Sequence, residues 1–129
     1  MQKRVIEWPG ARIVLVDTIT AVDESDADSY VIAASHGGTS SAEFALVVPL
    51  RAVIFNDAGV GKDNAGIAAL YVLQASGVAC AAVAHTSARI GDVEDMWENG
   101  VIAHVNDAGR RIGFMAGDRL LDAVRRASG

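Results

Sequence analysis

Short apolar runs alternate along this chain with longer runs rich in alanine and leucine, and this alternation limits the fold most strongly. The apolar runs have the length of strands, and residues that begin or end helices flank the longer runs. Such an alternation is typical of βα units, in which a helix joins two parallel strands. With 129 residues, the chain is expected to form a single domain over residues 1–129.

The pattern predicts an order of elements and a fold class. Strands are predicted at 12–16, with an extension to residue 20 left open, and at 30–34, 52–55, 78–84 and 101–104. Helices are predicted at 41–48, 64–76 and 118–127, with two shorter ones after Asp92 and Asn106. A capping box of Ser40 and Glu43, N-caps at Asp63, Asp92 and Asn106, and Gly77 after the second helix support these helix ends. We therefore predict a three-layer α/β/α sandwich with a mainly parallel sheet of about five strands, flavodoxin- or Rossmann-like in outline.

Composition and charge exclude several classes of protein. Hydrophobic residues make up 51% of the chain, which is typical of a globular protein, yet no apolar run reaches membrane-spanning length. The net charge is −5 and the basic residues are scattered, so we expect no nucleic acid partner and no membrane partner. Glu7, Pro9 and Arg12 interrupt any apolar region of a signal peptide, which favours a cytoplasmic protein. The single cysteine, Cys80, lies in an apolar run and is expected to be buried.

Polar and glycine-rich loops follow three consecutive predicted strands. These loops occupy residues 35–40, 56–63 and 85–92, and each combines glycine with histidine, aspartate, lysine or arginine. In a parallel sheet the carboxyl ends of the strands lie at one edge, where helix N-termini also meet and ligands bind. The sequence therefore predicts a small-molecule site at this edge.

The first loop contains His36, Gly37 and Gly38. We expect His36 to act as a general acid or base, because a histidine at a strand end can exchange a proton near neutral pH. The two glycines allow a close approach of the backbone to a ligand, and their N–H groups are candidates for binding an anion. The alternative is a tight turn between strand and helix with no functional role.

The second loop contains Asn56, Asp57, Gly59, Gly61 and Lys62. We expect Asp57 to orient a histidine or a water molecule, and the other four to bind substrate. Lys62 is one of two lysines beside nine arginines, and it could bind an anion, form a Schiff base or act as a base. The alternative is a salt bridge from Lys62 to Asp57 or Asp63. Neither a Walker motif nor a dinucleotide-binding glycine motif is present.

The third loop contains His85, Ser87 and Arg89, whose side chains would share one side of an extended segment. We expect His85 to compete with His36 for the acid–base role, and Ser87 and Arg89 to bind substrate. His104, after the fifth strand, either joins the same edge or bonds to a neighbouring carbonyl. A metal site of His36, Asp57 and His85 stays open as an alternative, but the local metal-binding spacings are missing, so no metal and no cofactor is predicted.

Two functional hypotheses follow from these patterns. The first is an enzyme with acid–base chemistry of the hydrolase or lyase type, acting on a small metabolite that carries a carboxylate or phosphate. The second is a non-catalytic subunit that binds an anion or forms an oligomeric scaffold. Apolar residues cover more than one face of the helix predicted at 64–76, so a homo-oligomer is expected in either case.

Overall fold

The structure, a computed structural model, describes residues 3–129 and has the α/β architecture that the sequence predicts. The strands are β1 (Lys3–Trp8), β2 (Ala11–Val16), β3 (Tyr30–His36), β4 (Ala52–Asn56), β5 (Ala79–Val83) and β6 (Ile102–Val105). The α-helices are α1 (Thr39–Ala45), α2 (Ala68–Ala75), α3 (Val93–Asn99), α4 (Asp107–Arg111) and α5 (Leu120–Ser128). Short 3₁₀ segments lie at Ile19–Ala21, Glu24–Asp26 and Lys62–Ile67.

The six strands form one sheet in the sequential order β1-β2-β3-β4-β5-β6. The strands from β2 to β5 run parallel to one another, whereas β1 and β6 run antiparallel to their neighbours at the two edges. Flavodoxin-like and Rossmann-like sheets reverse their strand order near the middle, and ligands bind at that reversal. The sheet formed by residues 3–129 has no such reversal, so its order differs from both of those folds.

Alternate strand residues contribute to two separate hydrophobic clusters, as the two faces of a sheet require. One cluster contains Ile13, Ile32 and Ile54 and packs against residues of α3 and α5. The other contains Val14, Val31 and Val53 and packs against residues of α1 and α2. Cys80 is fully buried in the second cluster, as expected, and burial raises the pKa of its thiol.

The first hairpin, β1 and β2, contains a strand that the sequence analysis did not predict. Trp8 pairs with Ala11 across a two-residue turn of Pro9 and Gly10, with Gly10 at a φ of +83°. Proline followed by a glycine with positive φ is the pattern of a type II turn. Lys3 belongs to this hairpin, and its Nζ lies 2.7 Å from the fully buried carboxylate of Asp26.

Several helix ends differ from the prediction, while others agree with it. Asp92 and Asn106 are N-caps, and Gly77 follows α2 with a φ of +73°. The capping box of Ser40 and Glu43 is wrong, because α1 already begins at Thr39 after an N-cap at Gly38, which places Ser40 inside the helix.

Asp63 is not an N-cap either. Asp63 and Asn64 adopt left-handed backbone angles, so they interrupt the 3₁₀ segment at Lys62–Ile67, and α2 starts only at Ala68. The helix predicted at 64–76 is therefore shorter than expected. No helix of the described range is long and apolar enough to cross a membrane.

The buried side chain of Asn106 joins β5, α2 and α4 through four hydrogen bonds. Its Oδ1 accepts the N–H groups of Cys80 and Gly109, at 3.0 and 2.8 Å. Its Nδ2 donates to the carbonyls of Leu70 and Val78, at 3.2 and 2.9 Å. Each of these backbone groups would be costly to leave unpaired in the core.

We therefore predict that Asn106→Ala lowers the free energy of unfolding by about 3 kcal/mol or more, because several buried backbone groups lose their partner at once. Urea denaturation followed by circular dichroism measures this change. Asn99→Ala is the matched control, since exposed Asn99 makes one bond, from Nδ2 to Asp95, and its loss should cost less than about 0.5 kcal/mol. Equal effects of the two substitutions would contradict the role assigned to Asn106.

Candidate functional site

The centre of the candidate site is the carboxylate of Asp57, which directly follows β4. Its side chain is only 6% exposed. Oδ1 accepts the backbone N–H groups of Gly59 and His85, at 2.8 and 3.0 Å, and also lies 3.2 Å from Nδ1 of His85. Oδ2 lies 3.5 Å from Nε2 of His104 on β6. One buried carboxylate therefore contacts two imidazole rings at the end of the sheet, and the ring of His85 is hydrogen-bonded to it.

The environment of Asp57 favours its ionised form. Burial on its own would raise the pKa of this carboxyl, but the hydrogen bonds from the N–H groups of Gly59 and His85, and the His85 ring, outweigh it. The net result is a pKa lowered from the ordinary value of 3.8. Asp57 is therefore a permanent negative charge near neutral pH, facing two groups that can become positive.

This contact gives His85 the geometry of a general base. When Nδ1 of His85 donates its proton to Asp57, Nε2 is the unprotonated nitrogen, on a side chain that is 54% exposed. The buried carboxylate fixes the tautomer and stabilises the imidazolium that forms when Nε2 takes a proton, as the aspartate does in serine hydrolase triads. His104, with its side chain 32% exposed, is a second imidazole at the same carboxylate.

His36 lies in a different place from this pair. Its ring packs over Gly38, where an added Cβ would lie 2.9 Å from Nε2 of the ring. It lines a cavity of about 410 Å³ together with Thr18, Thr20 and Phe44. Within residues 3–129, His36 forms no ion pair with Asp57, and the carboxylate contacts His85 and His104 instead.

The backbone amides of the first loop are already used inside the protein. The N–H of Gly37 donates to the carbonyl of Gly66 at 3.1 Å, and the N–H of Gly38 donates to the carbonyl of His36 at 3.0 Å. Side chains would not fit where the two loops meet, since a Cβ on Gly66 would lie 2.1 Å from the carbonyl oxygen of Asp57. The observed role of Gly37 and Gly38 is therefore close packing of the first loop.

The second loop folds back on itself through residues with left-handed backbone angles. Ala58, Gly59, Val60 and Gly61 all have positive φ, and for Val60, at +68°, this is a strained conformation. The N–H groups of Ala58 and Gly59 donate to the side chains of Asn56 and Asp57, and those of Val60 and Gly61 donate to carbonyls of the loop. The loop thus uses these amides to position Asp57 rather than to surround an anion.

Two residues predicted to bind substrate make structural contacts. Asn56 is fully buried, and its Nδ2 donates to the carbonyl of Ala88 at 3.0 Å, which joins the second loop to the third. The hydroxyl of Ser87 donates to the carbonyl of Ala84 at 2.7 Å and accepts the N–H of Val101 at 2.9 Å. Both polar groups are therefore occupied by the backbone.

The predicted cations Lys62 and Arg89 are exposed to solvent. Neither of the salt bridges considered for Lys62, to Asp57 or to Asp63, forms among the residues that the structure describes. Arg89 makes a backbone contact, in which its N–H donates to Oδ2 of Asp95 at 2.8 Å and lowers the pKa of that carboxyl. The charge of the Arg89 guanidinium contributes to the same lowering of the Asp95 pKa.

A large cavity opens beside His104. It has a volume of about 820 Å³ and lies between α2, β6 and the segment 114–116. This cavity lies outside the three loops that the sequence predicts as the site, because the apolar excess of the helix at 64–76 predicts an oligomer surface instead. Over residues 3–129 no group of three or more His, Cys, Asp or Glu side chains has a metal-binding arrangement.

Comparison of the chain with known protein families, with curated proteins and with solved structures finds no match. The geometry around Asp57 is therefore the basis for the function proposed below.

We predict that the contribution of Asp57 to stability depends on pH. Because the pKa of Asp57 is lower in the folded protein than its ordinary value of 3.8, its stabilisation is present above that value and is lost as the pH falls through the folded pKa. The difference in free energy of unfolding between wild type and Asp57→Asn should therefore be largest near neutral pH and shrink under acid conditions.

Urea titrations over a pH series measure this difference. Asp63→Asn is the control, since Asp63 is exposed in the same loop and asparagine tolerates its left-handed backbone angle of +56°. The prediction would be contradicted if Asp63→Asn changed the pH dependence of the free energy of unfolding as strongly as Asp57→Asn does.

Proposed function

We propose that this protein is a small-molecule enzyme with acid–base chemistry of the hydrolase or lyase type, acting on a metabolite that carries a carboxylate or phosphate. The observation that carries the proposal is the buried Asp57 carboxylate in contact with His85 and His104. A buried carboxylate is costly unless hydrogen bonds stabilise it, and here they fix the orientation of an exposed imidazole. Such a pairing is typical of catalytic histidines.

The proposed reaction uses His85 as the general base. Nε2 of His85 removes a proton from a water molecule or from the substrate, Asp57 stabilises the resulting imidazolium, and the same proton is later returned to the leaving group. His104 is the second proton-transfer group at this carboxylate. Lys62 and Arg89, the exposed cations of the second and third loops, act at longer range and steer an anionic substrate towards this end of the sheet.

The remaining parts of the proposal concern the architecture, the location and the absence of a cofactor. The two hydrophobic clusters, one with α1 and α2 and the other with α3 and α5, support a three-layer α/β/α sandwich. A cytoplasmic location and a reaction without a cofactor continue to rest on the sequence patterns. The contacts of Asp57 favour His85 over His36 for the acid–base role, and the test below separates these two histidines.

We predict that His85→Gln lowers kcat/KM at least about 100-fold, as expected for loss of a general base. The measurement is a turnover screen with p-nitrophenyl acetate, p-nitrophenyl phosphate and a panel of small carboxylate and phosphate metabolites. Asp57→Asn should have an effect in the same direction, because the imidazole loses the charge that stabilises it.

His36→Gln is the discriminating variant in this screen. Loss of turnover in His36→Gln but not in His85→Gln would assign the reaction to the cavity of about 410 Å³ instead. Absence of turnover with every compound would favour the non-catalytic alternative.

That alternative, an oligomeric scaffold or anion-binding subunit, is supported by an exposed apolar group at the end of α1. Phe44, Leu46 and Val47 are 44%, 40% and 69% exposed. Adjacent exposed apolar side chains are typical of surfaces that contact another protein. A second copy of this chain would be the partner, in line with the expected homo-oligomer.

We predict that, if this surface forms an oligomer, Val47→Asp shifts the protein to a smaller species, because the interface would then bury an unpaired charge. Size-exclusion chromatography with light scattering measures the mass. Val5→Asp is the control for a general effect of added charge, as Val5 is an exposed apolar residue on the edge strand β1. A monomeric wild type would exclude the scaffold through this surface.

A further inference from the structure

We propose that the cavity between α2 and β6 binds a monocarboxylate with an apolar body, and that Arg110 binds its carboxylate group. This inference rests on the proposed function, because His104 connects the cavity to Asp57. It goes further by naming the class of substrate and by assigning a binding role to residues of α2, α4 and the segment 114–116.

The lining of the cavity favours an apolar body. Ile67, Leu70 and Tyr71 contribute from the side of α2, and Phe114 and Met115 from the segment 114–116. Tyr71 and Met115 are 67% and 62% exposed, although both are large apolar side chains. A ligand with a ring or a branched chain would cover them both. The volume of about 820 Å³ lies within the range of about 300 to 1,000 Å³ typical of small-molecule sites.

Arg110 lines the same cavity, and only one of its guanidinium nitrogens donates hydrogen bonds. Its two hydrogen bonds, to the carbonyl of Val105 at 3.0 Å and to Oδ1 of Asp107 at 3.2 Å, are both made by Nη1. Within the described chain, Nε and Nη2 of Arg110 make no hydrogen bond, and a carboxylate can accept two parallel bonds from such a pair of donors.

The neighbouring acid restricts the charge of the ligand. Asp107 also lines the cavity, with its side chain 70% exposed, and it partly neutralises Arg110. A dianion such as phosphate would be repelled by Asp107 more strongly than a singly charged carboxylate. The charges at this end of the cavity therefore favour a monocarboxylate.

His104 connects this binding cavity to the acid–base pair. It lines the cavity, and its Nε2 lies 3.5 Å from the carboxylate of Asp57, which also contacts His85. A ligand that lies along the cavity, with its carboxylate at Arg110, would place its other end beside an imidazole. Remote binding of this kind holds a substrate in position for proton transfer.

The test uses three probes: phenylacetate has both features, phenylacetamide has the apolar body without the charge, and acetate has the charge without the body. Two-dimensional amide NMR of the full chain should show phenylacetate shifting residues around 67–74, 103–110 and 114–116. Phenylacetate should bind at least about tenfold more tightly than either of the other probes, because it alone makes both kinds of contact.

Two variants with matched controls separate the two features. Arg110→Gln should weaken phenylacetate binding about tenfold and leave phenylacetamide binding unchanged, whereas Arg111→Gln, the exposed neighbour outside the cavity, should change neither. Ala116→Trp should fill the cavity and block both ligands, whereas Val47→Trp, at an exposed site elsewhere, should not.

The outcomes distinguish this inference from the proposed function. Shifts that map elsewhere, no binding of phenylacetate, or equal effects of Ala116→Trp and Val47→Trp would overturn the inference. His85→Gln should still bind phenylacetate with wild-type affinity, since His85 does not line the cavity. If phenylacetate binds in the cavity but no compound is turned over, the proposed function alone is contradicted. If a compound is turned over and the cavity variants leave its KM unchanged, the inference alone is contradicted.

Discussion

The carboxylate of Asp57 imposes the main constraint on this end of the molecule. A charge that is only 6% exposed needs several donors, and the backbone N–H groups of Gly59 and His85 supply two of them. The N–H of Gly59 reaches Oδ1 because the second loop turns through consecutive residues with left-handed backbone angles, including the strained Val60. The second and third loops are thereby joined at the carboxylate, and the orientation of His85 is a consequence of that junction.

Two buried asparagines show that much of the polar character at the strand ends is structural. Asn56 bonds to the backbone of Ala58 and Ala88 above β4, and Asn106 bonds to four backbone groups beyond β6. Where the chain leaves a sheet, its backbone N–H and C=O groups lose the hydrogen-bond partners that the neighbouring strand provided. An asparagine side chain has both a donor and an acceptor and can take the place of those partners. A polar loop after a strand therefore does not by itself indicate a ligand site, and the exposed imidazole on a buried carboxylate is the stronger signal.

The sequence predicted the parallel α/β sheet and the helix starts at Asp92 and Asn106, because these depend on local periodicity and capping. The strand β1 was not predicted, because it is largely exposed and lacks an apolar run. The Pro9-Gly10 turn was the one usable signal for it. Asp57 and His85 were selected from their loops, but their contact joins residues 28 positions apart and cannot be derived from spacing. The hydrogen bond of the Gly37 amide to Gly66 cannot be derived from the sequence either, because it depends on how the first loop packs against the second.

The strand order explains why the cavity of about 820 Å³ lies at the edge of the sheet. In a doubly wound sheet the reversal of strand order separates two neighbouring loops and creates the ligand crevice. Here β2 to β5 follow one another without a reversal, and at this edge of the sheet β6 runs antiparallel to β5. The cavity lies between α2 and this last strand, and His104 on β6 reaches Asp57 from there. The antiparallel edge strand thus places the imidazole of His104 both beside the cavity and in contact with the buried carboxylate.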